Sequence, residues 1–218
     1  MLLYRAKRAL TLAVLLPVIC AIFFTGACSN NANIWIPESS LKIGIAPFTQ
    51  PLTAADLFAG YIPENVNKIE AKVFPQLDED FALLLSNTTK REYTSYQAIW
   101  KLASKTTKPA NTSAFNYWVQ IGTAMGVDLL VVPQIQQWQE RTGSDFGAER
   151  PAAVVMDFFL LDIRNKSLVY RCRYDELQRP LLENLLELDK FIDRGGKWVT
   201  AQRLAQEGMY KAIKEFGL

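Results

Sequence analysis

The chain has 218 residues, 50% hydrophobic and 21% charged, with a formal net charge of +2. That is enough apolar material for one globular domain with a sizeable core, and too much for a disordered chain. It holds no histidine, which excludes histidine general-base catalysis, Ser-His-Asp triads and the commonest metal ligand.

The basic excess belongs to the amino terminus. Arg5, Lys7 and Arg8 precede an apolar run from Ala9 to Phe24, broken by Pro17. Thr25-Gly26-Ala27-Cys28 and the polar Ser29-Asn30-Asn31 follow. A basic stretch, a short apolar stretch and small residues form a secretory signal peptide, and the apolar run is short of the roughly 20 residues of a membrane span. Gly26, Ala27 and Cys28 resemble the bacterial lipobox, where the signal is cut before a diacylglyceryl-modified cysteine; Thr25 stands where Leu is usual. The resemblance implies loss of residues 1–27 and lipidation of Cys28 (acyl chains such as palmitate). Two or more such chains give a stable membrane anchor. Ser29, in place of the Asp that retains enteric lipoproteins at the inner membrane, implies the outer membrane, with the domain facing the periplasm or exposed at the surface. A plain signal peptide with an incidental Cys28 is the alternative. Cleavage removes three basic residues and no acidic one, taking the net charge from +2 to −1. No electrostatic case for nucleic acid then remains.

Cysteine usage agrees. Cys20 leaves with the signal, Cys28 carries lipid, and Cys172 is left without an internal disulfide partner. Its apolar surroundings, Leu168-Val169-Tyr170-Arg171-Cys172, suggest a buried, inert thiol.

Residues 28–40 read as a short tether that reaches at most about 45 Å, with an apolar island at Ile34-Trp35-Ile36. Residues 41–218 read as a single α/β domain. Leu41 to Phe48 alternates like a strand. Val66 to Ser86 places Ile69, Val73, Leu77, Phe81, Leu84 and Leu85 at helical spacing, with Pro75 either breaking the helix or opening its second part. Thr88 to Tyr93 is a short polar candidate for an edge strand. Ser95 to Ser104 is a second helix, and a third runs to Met125, capped by Ser113 or Asn116 and closed by Gly126. A long hairpin, Leu129 to Ile163, forms the centre. Its first arm is apolar and then polar around Trp138. Its return arm, Ala153 to Ile163, is apolar on both phases and fits a strand buried on both faces. Leu168 to Tyr174 is a third antiparallel strand, Leu185 to Ile192 a brief helix, and Trp198 to Phe216 a closing helix with Leu204, Met209, Ile213 and Phe216 inward.

The motifs give no catalytic chemistry. There is no paired-cysteine metal spacing, and Arg194-Gly195-Gly196-Lys197 is a turn without the spacing of a phosphate loop. Asp157 and Asp162 make a weak glycosidase pair. The stronger reading takes one as a strand end and the other as a partner for Arg or Lys. Neither an enzyme, a metal nor a cofactor is expected. Two polar clusters, Trp138, Glu140 and Arg141 on the hairpin, and Arg173, Asp175, Glu176, Gln178 and Arg179 after the third strand, are brought to one end of the sheet if the strands form a meander. Exposed, they have the composition of a partner surface. The alternative is a Trp packed beneath salt-bridged strand ends.

The strand Lys42-Ile43-Gly44-Ile45-Ala46-Pro47-Phe48, the junction Ala124-Met125-Gly126-Val127-Asp128-Leu129-Leu130-Val131 and the two long strands after it resemble a group of periplasmic domains. It is typified by the TolB N-terminal domain, LpoB-type activators of penicillin-binding proteins and the CsgG curli-secretion lipoprotein. The resemblance implies an α/β sandwich related to anticodon-binding domains, with a mixed sheet. It implies an accessory, protein-interacting role in the cell envelope, or a structural subunit of an export or surface-assembly complex with self-association into a homo-oligomer. A cell-wall or lipid-acting enzyme is the third reading. The chain departs from LpoB-type activators in its short tether, and from CsgG-type subunits in its doubly apolar return strand, which suits a buried sheet better than a pore wall. No residue-specific role carries over.

Overall fold

The long hairpin forms the middle of a five-stranded mixed sheet in the computed structural model. The structure describes residues 36–62, 67–144, 147–178, 194 and 197–218. The expected signal segment with Gly26, Ala27 and Cys28, the tether before Ile36, the brief helix Leu185 to Ile192, the glycines of the 194–197 turn and Arg179 lie outside these residues.

In chain order the elements are β1 (Ile43–Ile45), α1 (Val73–Thr88), β2 (Tyr93–Thr94), α2 (Tyr96–Ala103), α3 (Ala114–Met125), β3 (Leu129–Gln139), β4 (Thr142–Ser144), β5 (Gly147–Arg150), β6 (Ala153–Asp162), β7 (Ser167–Leu177) and α4 (Ala201–Glu215). The sheet runs β2-β1-β3-β6-β7, while β4 and β5 form a separate two-stranded ladder. β1 is parallel to β2 and β3, and β3, β6 and β7 form the antiparallel meander. The expected fold class, an α/β mixed sheet with a C-terminal meander covered by helices, is therefore present.

β6 explains the layering. Its first nine residues are all buried, as a strand with covered faces requires. One phase, Val154, Met156, Phe158 and Leu160, packs with α1 and α4 through Leu77, Phe81, Leu204 and Met209. The other, Phe159 and Leu161, packs with α2 and α3 through Ile99, Trp118 and Ile121. Burying each of these large side chains contributes about 1.5–3 kcal/mol. Phe48, Phe81 and Phe158 interlock by ring edges and faces with centroids 5.6–6.0 Å apart.

The Gly126-Val127-Asp128 junction joins helix to sheet. Gly126 closes α3 at φ 68°, a left-handed conformation that glycine adopts without a Cβ clash. Asp128 then accepts the Lys42 N–H at 2.8 Å, which pins the start of β1 beside β3.

Several boundaries differ from expectation. α1 starts at Val73, not Val66. Pro75 has no N–H for the carbonyl four residues back, so it fits the first turn and blocks a longer helix. Ile69 is buried from the segment before the helix. Ser113, not Asn116, caps α3, and the Thr200 side chain caps α4, which begins at Ala201. β7 extends to Leu177, because β6 pairs with it as far as Ala153. The residues read as a hairpin turn carry the β4–β5 ladder.

Cys172 is 1% exposed and free. Burial, then a hydrogen bond and charge from Glu215, push its thiol up to about 12. The native protein is expected to leave Ellman's reagent unreacted at Cys172 until denaturant is added. Rapid native labelling at this position overturns the reading of an inert thiol.

Candidate functional site

β7 alternates between two environments, and this positions the candidate site. Arg171, Arg173, Asp175 and Leu177 are exposed on one face, while Cys172 and Glu176 are buried on the other, on either side of the half-buried Tyr174. Successive strand residues point to opposite faces, so one strand supplies charge to two networks.

The first network surrounds Asp157, which is fully buried on β6. Arg171 Nε reaches one carboxylate oxygen at 2.9 Å, and Arg173 Nη1 reaches the other at 2.9 Å. Gln136 Nε2 also donates to Asp157 at 2.7 Å. Arg173 Nη2 meets Asp175 at 2.9 Å, and the Arg171 guanidinium lies 5.7 Å from the Phe159 ring centroid. A buried carboxylate needs this degree of compensation. Asp162 closes β6 by accepting the Asn165 N–H at 2.8 Å. The stronger sequence reading of these two aspartates, one an Arg partner and one a strand end, agrees with this geometry. They stand five residues apart on β6, and so on opposite faces.

The second network lies under α4. Arg194 is 8% exposed and bridges Glu176, 7% exposed, at 3.1 Å and Glu207 at 2.7 Å. Tyr174 donates its hydroxyl to Glu207 at 3.1 Å. Burial pulls the Arg194 guanidinium down, but the hydrogen bonds and charges of Glu207 and Glu176 outweigh it and hold the group above its ordinary value. Burial, together with the same two carboxylates, pushes the Tyr174 phenol up. α4 approaches β6 and β7 closely here because Gly208 has no side chain; a Cβ would sit 2.7 Å from Met156 Cε and from the Tyr174 ring.

Beside this network an open cleft of about 690 Å³ runs between Arg173–Glu176 on β7 and Arg203, Glu207 and Lys211 on α4, with Arg194 also in its lining. Lys211 Nζ donates to the Arg173 carbonyl at 2.8 Å. The cleft therefore presents both signs of charge over a hydrogen-bonded floor. Its buried carboxylate, Glu176, is engaged by Arg194. The carboxyl group pushed up to about 7 by burial is Asp78, which accepts the Phe48 N–H at 2.7 Å and does not line this cleft.

A second cleft, about 720 Å³, lies where the described chain begins, between residues 37–42 and 89–92 and the carboxy terminus. Arg91 there donates to the carbonyls of Pro37 and Glu38. This guanidinium fixes the backbone that leads from the tether into β1.

The two sequence clusters divide as follows. Trp138 is half-buried and packs against the α1/α4 core, so it fits the alternative of a packed Trp. Its row in the sheet is Trp138, Val154, Glu176, which puts both clusters at one end of the meander, but Trp138 does not line the cleft. Glu140 is exposed and Arg141 half-buried beyond the end of β3. Arg173 and Asp175 are exposed and line the cleft. Glu176 and Gln178 are not surface groups: each is buried, and each has a structural task. Gln178 clamps the approach to α4, accepting from Val199 N at 2.9 Å and donating to Lys197 O at 3.1 Å. Sequence reasoning missed Arg194 and Glu207. The available signal was phase, because Glu176 shares the inward phase of Cys172 and an inward carboxylate calls for a cation.

Among the described residues there is no group of three or more acidic or cysteine side chains able to hold a metal ion. No helix among them is long and apolar enough to cross a membrane.

No protein-family model matches the chain, and no curated protein matches it in sequence. Among solved structures it is similar to a PelC dodecamer from Paraburkholderia phytofirmans, with a TM-score of 0.47 and 10% identity over 84% of this chain and 93% of that one. It is similar to lipoprotein GNA1162 from Neisseria meningitidis, with a TM-score of 0.39 and 10% identity over 72% and 98% of the two chains. TolB from Acinetobacter baumannii follows at a TM-score of 0.31 and 17% identity, over 82% of this chain and 29% of that one. At TM-scores below 0.5 these likenesses fix neither a family nor a function for this chain.

Proposed function

We propose that this chain is a lipoprotein of the bacterial outer membrane, anchored through Cys28 and facing the periplasm. It acts as a non-catalytic protein-interaction module in envelope assembly or maintenance. The observation that carries the reading is Gly26-Ala27-Cys28 at the end of a basic and then apolar leader. The small number of residues between Cys28 and the first strand supports it, since a short connection limits how far the domain can stand from an anchored cysteine. The interacting surface is the exposed charged face of β7, with Arg171, Arg173 and Asp175, continued by Glu140 and Arg141. The second reading, a structural subunit of an export or surface-assembly complex, draws on the open outer edge of the same strand.

Two measurements test this. Cells fed labelled palmitate are expected to label the wild-type chain and to leave Cys28→Ala unlabelled. Cross-linking in intact cells is expected to recover one defined envelope protein with wild type and to lose it with Cys28→Ala. Equal labelling of both chains sinks the anchor, and recovery of only self-linked copies moves the assignment to the structural-subunit reading.

A further inference from the structure

We propose that two copies of this chain pair through the outer edge of β7, antiparallel, with Tyr174 on the two-fold axis. The partner is a second copy of the chain, and the pairing requires nothing of the lipid anchor.

The backbone of β7 has two sides. Among the described residues it pairs on one side only, with β6. The Gln178 N–H continues that side by donating to the Ala152 carbonyl. Backbone groups alternate in direction along a strand, so the odd-numbered residues Arg171 to Leu177 aim their N–H and C=O outward. The Arg173 carbonyl accepts from Lys211 Nζ at 2.8 Å, as fits a group turned away from β6. The open cleft borders this edge at Arg173–Glu176. An eleven-residue strand at the end of the described sheet, whose outward groups border the cleft and of which the Arg173 carbonyl is shared with the exposed Lys211 ammonium, is a template for strand addition.

Charge selects the occupant and the register. An antiparallel copy must pair odd residues with odd residues to join the outward groups. Centring on Arg173 faces Arg171 with the partner's Asp175 but sets the Arg173 guanidinium against the partner's Arg173. Centring on Asp175 opposes two carboxylates, and centring on Cys172 sets Arg171 against the partner's Arg173. Centring on Tyr174 places Arg173 opposite the partner's Asp175 and, by symmetry, Asp175 opposite the partner's Arg173. Arg171 then faces the partner's Leu177. Opposite charges directly across a strand pair stabilise it and like charges destabilise it, so this register is the one the sequence of β7 favours.

The test uses the full chain in detergent, followed by analytical ultracentrifugation over a range of concentrations. Wild type is expected to be a reversible dimer. Asp175→Arg, at a side chain 58% exposed whose partner is Arg173, sets like charges across the axis twice and is expected to weaken the dimer roughly tenfold. Leu177→Glu, at a residue 43% exposed, gives Arg171 a carboxylate across the axis and is expected to tighten it by roughly two- to fivefold. Circular dichroism establishes that both variants keep the fold. A wild-type chain that stays monomeric at every concentration, a closed assembly larger than a dimer, or unchanged affinity in both variants overturns the proposal. Weakening by Leu177→Glu overturns the register, because in the Arg173-centred alternative Leu177 faces an apolar residue.

Discussion

Arg194→Ala is expected to lower the stability of the domain by about 3–5 kcal/mol, as measured by urea unfolding of the full chain. The cause is the loss of a buried cation that bridges two carboxylates. Glu176 is 7% exposed, and Arg194 pairs with it at 3.1 Å. Glu207 is 27% exposed and reaches water more easily. Without the guanidinium, Glu176 and Glu207 lose the cation that bridges them, and the buried carboxylate is compensated less well or pulls β7 away from α4. Either costs far more than an exposed ion pair contributes, which is about 0–1 kcal/mol. Adding Glu176→Gln to Arg194→Ala removes the more deeply buried of the two charges and is expected to restore part of the loss. A single-variant loss below about 1 kcal/mol would falsify the assignment of Arg194 as a compensating charge for the buried carboxylates.

The second large effect depends on pH. Asp78 is 8% exposed, and its carboxyl is pushed up from 3.8 to about 7, chiefly by burial and further by the charge of Glu79, against the lowering effect of the Phe48 N–H. Because the folded value lies above the unfolded one, the folded state holds a proton that the unfolded state has lost between 3.8 and about 7. The contribution of this group to stability is complete below the unfolded value and is lost as pH rises through the folded one. The loss is about 4 kcal/mol, at roughly 1.4 kcal/mol for each pH unit that separates the two values. Asp78→Asn keeps an acceptor for Phe48 N–H and has no charge to desolvate. It is expected to match wild type at about pH 4 and to exceed its stability at about pH 8 by that amount. Parallel urea titrations at the two pH values check it. A variant less stable than wild type at the higher pH would show that the ionised carboxylate strengthens the fold through its hydrogen bond more than its burial weakens it.

Both effects arise where charge enters the interior, and sequence patterns read such places least well. The meander was legible because hydrophobic phase is local. Apart from Asp157 and the terminal Asp162, β6 is apolar on both phases, and a strand of that kind is stable only with a layer on each face. The cap of α3, narrowed to Ser113 or Asn116, the Gly126 stop and the closing helix were legible for a similar reason, since each depends on residues three or four apart. The start of α1 was misplaced because the spacing of Ile69, Val73 and Leu77 continues through a proline whose missing N–H decides the boundary. Glu176 and Gln178 were read as surface groups because polar residues after a strand usually are. Their burial follows from α4 lying across β7, a contact between segments far apart in sequence.

The sequence by itself determined the order of the long elements and the pairing of the long strands. These follow from composition, local periodicity and turn chemistry, which act over a few residues. The tertiary structure alone decided which charges are buried, that Asp157 is held by Arg171 and Arg173 while Arg194 joins Glu176 to Glu207, and that the outer edge of β7 borders an open cleft. Desolvation is the reason. The energy of a charge is set by what packs around it in space, and here those neighbours come from strands and a helix that meet only when the sheet closes under α4.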